Sequence, residues 1–108
     1  MSERQHFQLQ RTVVLVGMMG SGKTAIGRAL SLRLDVPFVD SDAAIEEAAA
    51  ATIAEIFTRD GEAFFRKREA EVLARLLSGP PRIVSTGGGA FLAPGNRAMI
   101  ASEGVAVW

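Results

Sequence analysis

Residues 17–24 read Gly-Met-Met-Gly-Ser-Gly-Lys-Thr and fill every fixed position of the P-loop pattern G-x-x-x-x-G-K-[ST]. In a P-loop, glycines let successive backbone N–H groups turn toward the oxygens of a phosphate chain. Lys23 then reaches the β- and γ-phosphates, and the Thr24 hydroxyl is placed to bind Mg²⁺. The segment predicts a binding site for a nucleoside triphosphate. The predicted nucleotide contacts are Gly20, Ser21, Gly22, Lys23, Thr24 and Ala25.

The segments on either side of this loop favour the same interpretation. An apolar run at residues 13–16 predicts a strand before the loop, and residues from about 23 to 34 predict a helix after it. The amino terminus of that helix would face the bound phosphates. A glycine-rich turn that matches by chance is the alternative, and the order of strand, loop and helix argues against it.

Two further groups of residues follow predicted strands. Asp40, Ser41 and Asp42 come after a short strand at 38–39, and a triple glycine at 87–89 comes after a strand at 82–85. Ligands of open parallel sheets bind beyond the carboxyl ends of the strands, so these groups should share one cleft with the P-loop. Three glycines there indicate close approach to a ligand more than a plain turn. The residues concerned are Gly87, Gly88 and Gly89.

The two aspartates have a use beside a P-loop. One carboxylate can hold Mg²⁺ through water, and the other can orient or deprotonate an attacking hydroxyl. We assign the metal to Asp40, together with Thr24, because the third strand ends in Ser85 and Thr86 without an acidic residue. The alternative is structural: Asp42 caps the next helix, and Asp40 is a solvated strand end.

The predicted helix at about 62–77 places a charged pair in an apolar stripe. At 100° per residue, Arg66 and Glu69 project from inside the stripe, and a buried guanidinium needs an anionic partner. Either the two residues form an internal pair, or Arg66 binds an anionic substrate group while Glu69 holds it. The residues alone favour neither. The stripe is formed by Phe65, Val72, Leu73, Leu76 and Leu77, and Lys67, Glu71 and Arg75 lie on or near the opposite face.

The remaining pattern indicates an α/β fold of three layers, with a parallel sheet covered on both faces. Asp42 is predicted to cap a helix over 43–51, and Thr52 opens a capping box for a helix through Phe57. Residues 58–61 predict a turn, Pro94 opens a short helix, and residues 105–108 predict a fourth strand. We divide the chain into a flexible extension at 1–11 and a core at 12–108.

Composition limits the classes of function. The 108 residues are 48% hydrophobic, with 12 basic and 12 acidic side chains, so no basic surface for nucleic acid is indicated. There is no cysteine for a disulfide or thiolate metal site. We see no membrane span and no signal peptide, and we expect a cytoplasmic protein.

Together these motifs resemble shikimate kinase, a family of small P-loop kinases in the nucleoside monophosphate kinase superfamily. The resemblance covers about residues 13–108, and its more specific part is the ordered set beyond the P-loop. The matching stretches are residues 17–27, 40–42, 53–57, 61–69 and 85–90.

The resemblance implies transfer of a phosphoryl group from MgATP to the 3-hydroxyl of shikimate, a step toward chorismate and the aromatic amino acids. Lys23 would hold ATP and act in catalysis, while Asp42 would bind the shikimate hydroxyls and serve as the base. Arg66 would bind the shikimate carboxylate, which favours the functional interpretation of that residue. Gly87, Gly88 and Gly89 would line the pocket, with Phe57 and Phe65 nearby.

The resemblance also implies that the core is truncated after the fourth predicted strand. Family members continue with an arginine-bearing lid, a second carboxylate-binding arginine and further elements, so we expect this chain to have little activity and the full-length form to be a monomer. Another small-molecule kinase, such as gluconate kinase, or a non-catalytic nucleotide-binding module are the alternatives.

Overall fold

The computed structural model describes residues 11–16, 21–87, 90 and 93–107, except for the side chain of Ser21. Strands and helices alternate through most of this part of the chain, and all strand pairs are parallel, which confirms the predicted α/β class. The elements are β1 (Thr12–Leu15), α1 (Ser21–Leu34), β2 (Phe38–Asp40), α2 (Ser41–Ala49), α3 (Ile53–Asp60), α4 (Glu62–Leu77), β3 (Ile83–Ser85), α5 (Pro94–Glu103) and β4 (Gly104–Val107).

The sheet has the strand order β2-β3-β1-β4. Val14 of β1 lies opposite Val84 of β3 on one side and Ala106 of β4 on the other. Because the strands are parallel, their carboxyl ends meet at one edge of the sheet. The connection that leaves β1 runs toward β2, whereas the connection that leaves β3 runs toward β4, and parallel sheets bind ligands in the crevice between two such neighbouring strands.

Helices cover the sheet on two faces. Val14, Val16 and Val84 belong to a core cluster with the buried faces of α2, α3, α4 and α5. Leu15 and Ile83 are also fully buried but alternate with those residues along their strands, so they point to the other face, where α1 packs against β2 and β3. The result is the predicted three-layer arrangement.

The predicted apolar stripe of α4 is confirmed, and the predicted bounds of the helix, 62–77, are those observed. All five predicted stripe residues are buried, whereas Lys67, Glu71 and Arg75 are exposed. Gly61, at a φ of +89°, separates α3 from α4. Glycine adopts that backbone region without the steric cost that a Cβ would add.

A close contact joins α1 to β2. Gly27 faces the ring of Phe38 so closely that a Cβ at residue 27 would lie 2.1 Å from Cε1 of that ring. Gly27 also belongs to the stretch that carries the resemblance to kinases. Its missing side chain lets the helix that follows the P-loop pack directly on the second strand.

The structure corrects two predicted elements. Asp40, not Asp42, is the N-cap of α2, which begins at Ser41 instead of residue 43. The capping box of Thr52 and Glu55 is confirmed. However, α3 continues to Asp60, so the turn predicted at 58–61 is wrong for residues 58–60. Thr58, Arg59 and Asp60 are compatible with a helix, and the helix ends only at Gly61.

Both predicted ends of the chain lie partly outside the described residues. Residues 1–10 of the predicted extension and Trp108 of the predicted fourth strand are not described. Arg11 is described, and its Nη2 atom donates hydrogen bonds to the carbonyl oxygens of Ala101 (2.9 Å) and Ser102 (3.0 Å). A cation at the carboxyl end of α5 is a favourable partner for the helix dipole. Among the described helices, none has the length and apolar character needed to cross a bilayer.

Candidate functional site

Lys23 lies in the crevice between β1 and β3. Its side chain comes from the first turns of α1, is only 9% exposed, and donates a hydrogen bond from Nζ to the carbonyl oxygen of Thr86. Thr86 is itself held to β1, because its N–H and its hydroxyl donate to the carbonyl oxygen of Leu15 at 3.3 and 3.2 Å. The ammonium is therefore positioned at the carboxyl edge of the sheet by a neighbour that sequence reasoning did not single out.

The predicted nucleotide contacts are described in part. Ser21, Gly22, Thr24 and Ala25 lie in the first turns of α1. The first backbone N–H groups of a helix have no partners within it and attract anions. Gly20 lies outside the described residues, as do Gly88 and Gly89.

Asp40 has a structural role at the end of β2. Its Oδ1 atom accepts hydrogen bonds from the backbone N–H groups of Asp42 (2.9 Å) and Ala43 (3.4 Å). Both bonds end on one oxygen, and a carboxylate offers lone pairs on two. Capping α2 is thus compatible with a second contact to a hydrated metal ion.

Asp42 lies beside Gly87 at the same edge. A Cβ on Gly87 would be 2.7 Å from Oδ1 and 2.8 Å from Oδ2 of Asp42, so the glycine backbone packs directly on the carboxylate. Burial raises the pKa of Asp42 above its ordinary value, and the negative charges of Asp40 and Glu69 raise it further. The positive charge of Lys23 acts on the same carboxylate in the opposite direction. Asp42 is therefore within electrostatic reach of both the P-loop lysine and the acid on α4.

Arg66 and Glu69 form the ion pair that their spacing allows. Nη1 of Arg66 donates to Oε1 and Oε2 of Glu69 at 2.9 and 3.1 Å, and Nε lies 3.7 Å from Oε2 of Glu62. Glu69 is 2% exposed, whereas the side chain of Arg66 is 36% exposed. The carboxylate of the pair is buried, whereas the guanidinium is partly exposed. Arg66 can therefore pair with Glu69 and still bind an anionic substrate group, so the two interpretations are compatible.

Aromatic rings support the position of Arg66. Its guanidinium lies 5.2 Å from the centre of the Phe65 ring, and that ring lies 4.8 Å from the ring of Phe57. The contact between guanidinium and ring face is attractive and limits the rotamers available to the arginine.

Asn96, on α5, completes the surroundings of Glu69. Its Nδ2 atom donates to Oε1 of Glu69 at 3.3 Å and to the carbonyl oxygen of Ala90 at 2.9 Å. Sequence reasoning missed this residue, because 27 positions separate it from Glu69 and no local pattern connects them. The one available signal was a polar side chain in the first turn of the helix that Pro94 opens.

Metal binding by protein side chains alone is not supported here. Within the described ranges, no group of three or more His, Cys, Asp or Glu residues is arranged to hold a metal ion. Mg²⁺ in phosphoryl-transfer sites takes only one or two protein ligands, with phosphates and waters supplying the rest. Thr24 and Asp40 supply a hydroxyl and a carboxylate, which are ligand types that such a site uses, and their role in metal binding stays a prediction.

A family model described as shikimate kinase matches residues 19–108 of this chain. The chain belongs to the shikimate kinase family. A curated shikimate kinase of Ruegeria pomeroyi is 68% identical over 100 residues, which cover 93% of this chain and 51% of the relative. The chain spans about half the length of the curated relatives it matches.

Solved structures give the same family. The shikimate kinase from Acinetobacter baumannii, in complex with shikimate, superimposes with a TM-score of 0.86 and 42% identity, over 93% of this chain and 56% of that one. A gluconokinase from Sinorhizobium meliloti reaches a TM-score of 0.50 at 21% identity, over 89% of this chain and 53% of its own. That second likeness shows a common fold alone, so the gluconate kinase alternative is not favoured over shikimate kinase.

Proposed function

We propose that this chain forms the part of a shikimate kinase that binds the ATP phosphates and shikimate, for transfer of the γ-phosphoryl group to the 3-hydroxyl. The observation that carries the proposal is the half-buried carboxylate of Asp42, which packs on Gly87 and responds to the charge of Lys23. An acid with a raised pKa beside a P-loop lysine is the arrangement that phosphoryl transfer to a hydroxyl needs. The A. baumannii relative, solved with shikimate, supports the choice of acceptor.

Lys23 and the amino terminus of α1 are the proposed ligands of the ATP phosphates. The ammonium already lies at the carboxyl edge of the sheet, where it can exchange the carbonyl of Thr86 for a phosphate oxygen. Thr24, directly, and Asp40, through water, would hold Mg²⁺. When bound, the ion neutralises charge on the phosphates of the nucleotide.

Asp42 is the proposed base. As the 3-hydroxyl oxygen of shikimate forms its bond to the γ-phosphorus, its proton passes to a carboxylate oxygen of Asp42, and the bond from phosphorus to the β–γ bridging oxygen breaks, leaving ADP. A raised pKa makes this carboxylate a better proton acceptor than an ordinary surface aspartate. Lys23 stabilises negative charge on the phosphoryl oxygens during transfer.

Arg66 is the proposed partner of the shikimate carboxylate. Glu69 holds Nη1 from the buried side, while more than a third of the side chain stays exposed. The planar guanidinium can then donate from its open side to two carboxylate oxygens at once. Gly87 lets the Asp42 carboxylate lie directly against its backbone at the acceptor side of the site, and Gly88 and Gly89 would line the same pocket.

Activity of the 108 residues by themselves remains a separate prediction. The relatives are about twice as long, and we expect slow or no turnover from this chain without the segment that relatives carry beyond the matched region. A cytoplasmic location, a monomeric state, the lack of a nucleic-acid partner and the division at residue 12 likewise stay predictions from the sequence.

The test uses an extended chimera, in which the segment of R. pomeroyi shikimate kinase beyond the matched region follows Trp108. Coupled ADP release is measured with shikimate and, separately, with gluconate. We expect turnover with shikimate, and loss of at least a hundredfold in kcat/KM for Lys23→Ala, since a lost charge-assisted contact and lost transition-state stabilisation add. Lys67→Ala, an exposed lysine on α4, is the matched control. Turnover with gluconate but not shikimate would overturn the proposal.

A further inference from the structure

We infer that Asn96 is a positioning residue for the shikimate site, holding Arg66 and the loop after β3 at a set separation. The inference rests on the proposed function. Asn96 is 3% exposed, and its amide nitrogen spans two acceptors on different elements: the Glu69 carboxylate of α4 and the Ala90 carbonyl. A buried amide whose two N–H groups both find partners holds one rotamer.

The first of these bonds acts on Arg66. Glu69 is almost fully buried, and its Oε1 atom accepts from Nη1 of Arg66 and from Nδ2 of Asn96. A buried carboxylate is costly unless hydrogen bonds satisfy its oxygens. Asn96 supplies the donor that comes from the α5 side, so it sets where the carboxylate sits and, through it, where the guanidinium points.

The second bond acts on the loop that faces Asp42. Ala90 is fully buried, and its N–H donates to the carbonyl oxygen of Gly87 at 3.1 Å. Gly87 in turn packs on the Asp42 carboxylate. By holding the carbonyl of Ala90, Asn96 fixes Ala90, and through its hydrogen bond Gly87, relative to the Glu69 carboxylate that orients Arg66.

The two bonds therefore connect the proposed carboxylate-binding arginine with the wall of the pocket beside the proposed base. Neither bond reaches the crevice occupied by Lys23. A change at Asn96 should loosen the shikimate side of the site and leave the phosphate side in place. This separation gives a kinetic signature that general destabilisation would not produce.

The experiment uses Asn96→Leu, which removes both donors at similar size, and Asn96→Asp, which turns a carboxylate oxygen toward two acceptors. Each is introduced into the extended chimera, with Gly95→Ala as the matched control, because a Cβ at residue 95 meets nothing within 4 Å. We expect the KM for shikimate to rise about tenfold or more and the KM for ATP to change less than about twofold. The control should leave both constants at parent values.

A double-mutant cycle with Arg66→Ala separates positioning from simple structural support. Because one of the two Asn96 bonds acts through the arginine, Asn96→Leu should raise the shikimate KM by a smaller factor in the Arg66→Ala background than in the parent. Equal effects in both backgrounds, or a parallel rise in the KM for ATP, would overturn the inference. Asn96→Ser, which keeps one hydroxyl donor, replaces the leucine variant if that variant does not fold. An active parent with an unchanged Asn96→Leu variant refutes this inference alone, whereas an inactive parent refutes the proposed function.

Discussion

The backbone of Gly87 and the carboxylate of Asp42 are in direct contact, with no room for a side chain between them. A Cβ on residue 87 would lie 2.7 and 2.8 Å from the two carboxylate oxygens, both closer than a carbon and an oxygen approach without repulsion. Asp42 lies in the first turn of α2, directly after β2, and Gly87 follows β3, so the two residues meet because β2 and β3 are parallel neighbours. This contact joins the first residue of the triple glycine to the proposed base.

Gly87→Ala should impair catalysis more than stability. The obstructed atoms belong to the end of the Asp42 side chain, which can rotate away at small cost, so we expect the Tm to fall by only a few degrees. Rotation removes the carboxylate from the acceptor hydroxyl, and kcat with shikimate in the extended chimera should fall at least tenfold. Thermal unfolding and ADP release measured on the same sample check both parts. A Tm drop with unchanged kcat would contradict this view of the contact.

Asp42→Asn should stabilise the 108-residue chain at neutral pH. Burial, Asp40 and Glu69 raise the pKa of Asp42 in the folded state, so the folded protein binds that proton more tightly than the unfolded chain does. The stability associated with this group is present below the ordinary carboxyl pKa of 3.8 and is lost as the pH rises through the raised value. The Tm of the variant should exceed that of the parent at pH 7.

The difference between variant and parent should shrink as the pH falls toward that ordinary value, because the parent then carries a neutral Asp42. Glu47→Gln, which removes an exposed carboxylate from the same helix, controls for the loss of one negative charge. A variant that is less stable than the parent at pH 7 would show that Asp42 stabilises the fold in its charged form.

Arg66→Ala should raise the KM for shikimate about ten- to a hundredfold in the extended chimera, the range expected for lost hydrogen bonds between charged groups. The KM for ATP should change little, because Arg66 is held by Glu69 and Phe65, away from Lys23. Steady-state kinetics with each substrate varied in turn give both constants. Loss of ATP affinity with an unchanged shikimate KM would assign Arg66 to the nucleotide.

The same substitution leaves the buried Glu69 without its ion partner, so the Tm should also fall. Arg66→Ala combined with Glu69→Gln should recover part of the stability and none of the shikimate affinity. Arg75→Ala, an exposed arginine on the same helix, controls for the loss of one positive charge.

Gly27→Ala should destabilise the chain by about 1–3 kcal/mol, the usual cost of overpacking. The new methyl group would lie 2.1 Å from the Phe38 ring, which outweighs a helix propensity gain of at most about 1 kcal/mol. Gly95→Ala is the control, since it adds the same methyl group to a helix in open space. Urea unfolding of the 108-residue chain compares the two, and Phe38→Leu should recover part of the loss. Equal stability for both alanine variants would refute the proposed contact.

Local pattern was enough to predict most of the elements. The periodicity of residues 62–77 identified α4 with its bounds and its buried face, and Thr52 with Glu55 identified the start of α3, because these signals act within one or two helical turns. Polarity alone did not distinguish Asp40 from Asp42 as the cap of α2. Which of two nearby aspartates caps the helix depends on where β2 ends, and the end of β2 is set by its pairing with β3.

By itself the sequence determined the chemical types at the edge of the sheet: a P-loop lysine, two aspartates, an arginine beside an acid, and glycines. Parallel pairing in the order β2-β3-β1-β4 then decided which of them meet, placing Gly87 on Asp42 and Lys23 on the carbonyl of Thr86. The contact of Asn96 with Glu69 depended on the packing of α5 against α4. Such contacts join residues far apart in the chain, and only the packed core fixes their distance, because no short-range preference of the backbone extends that far.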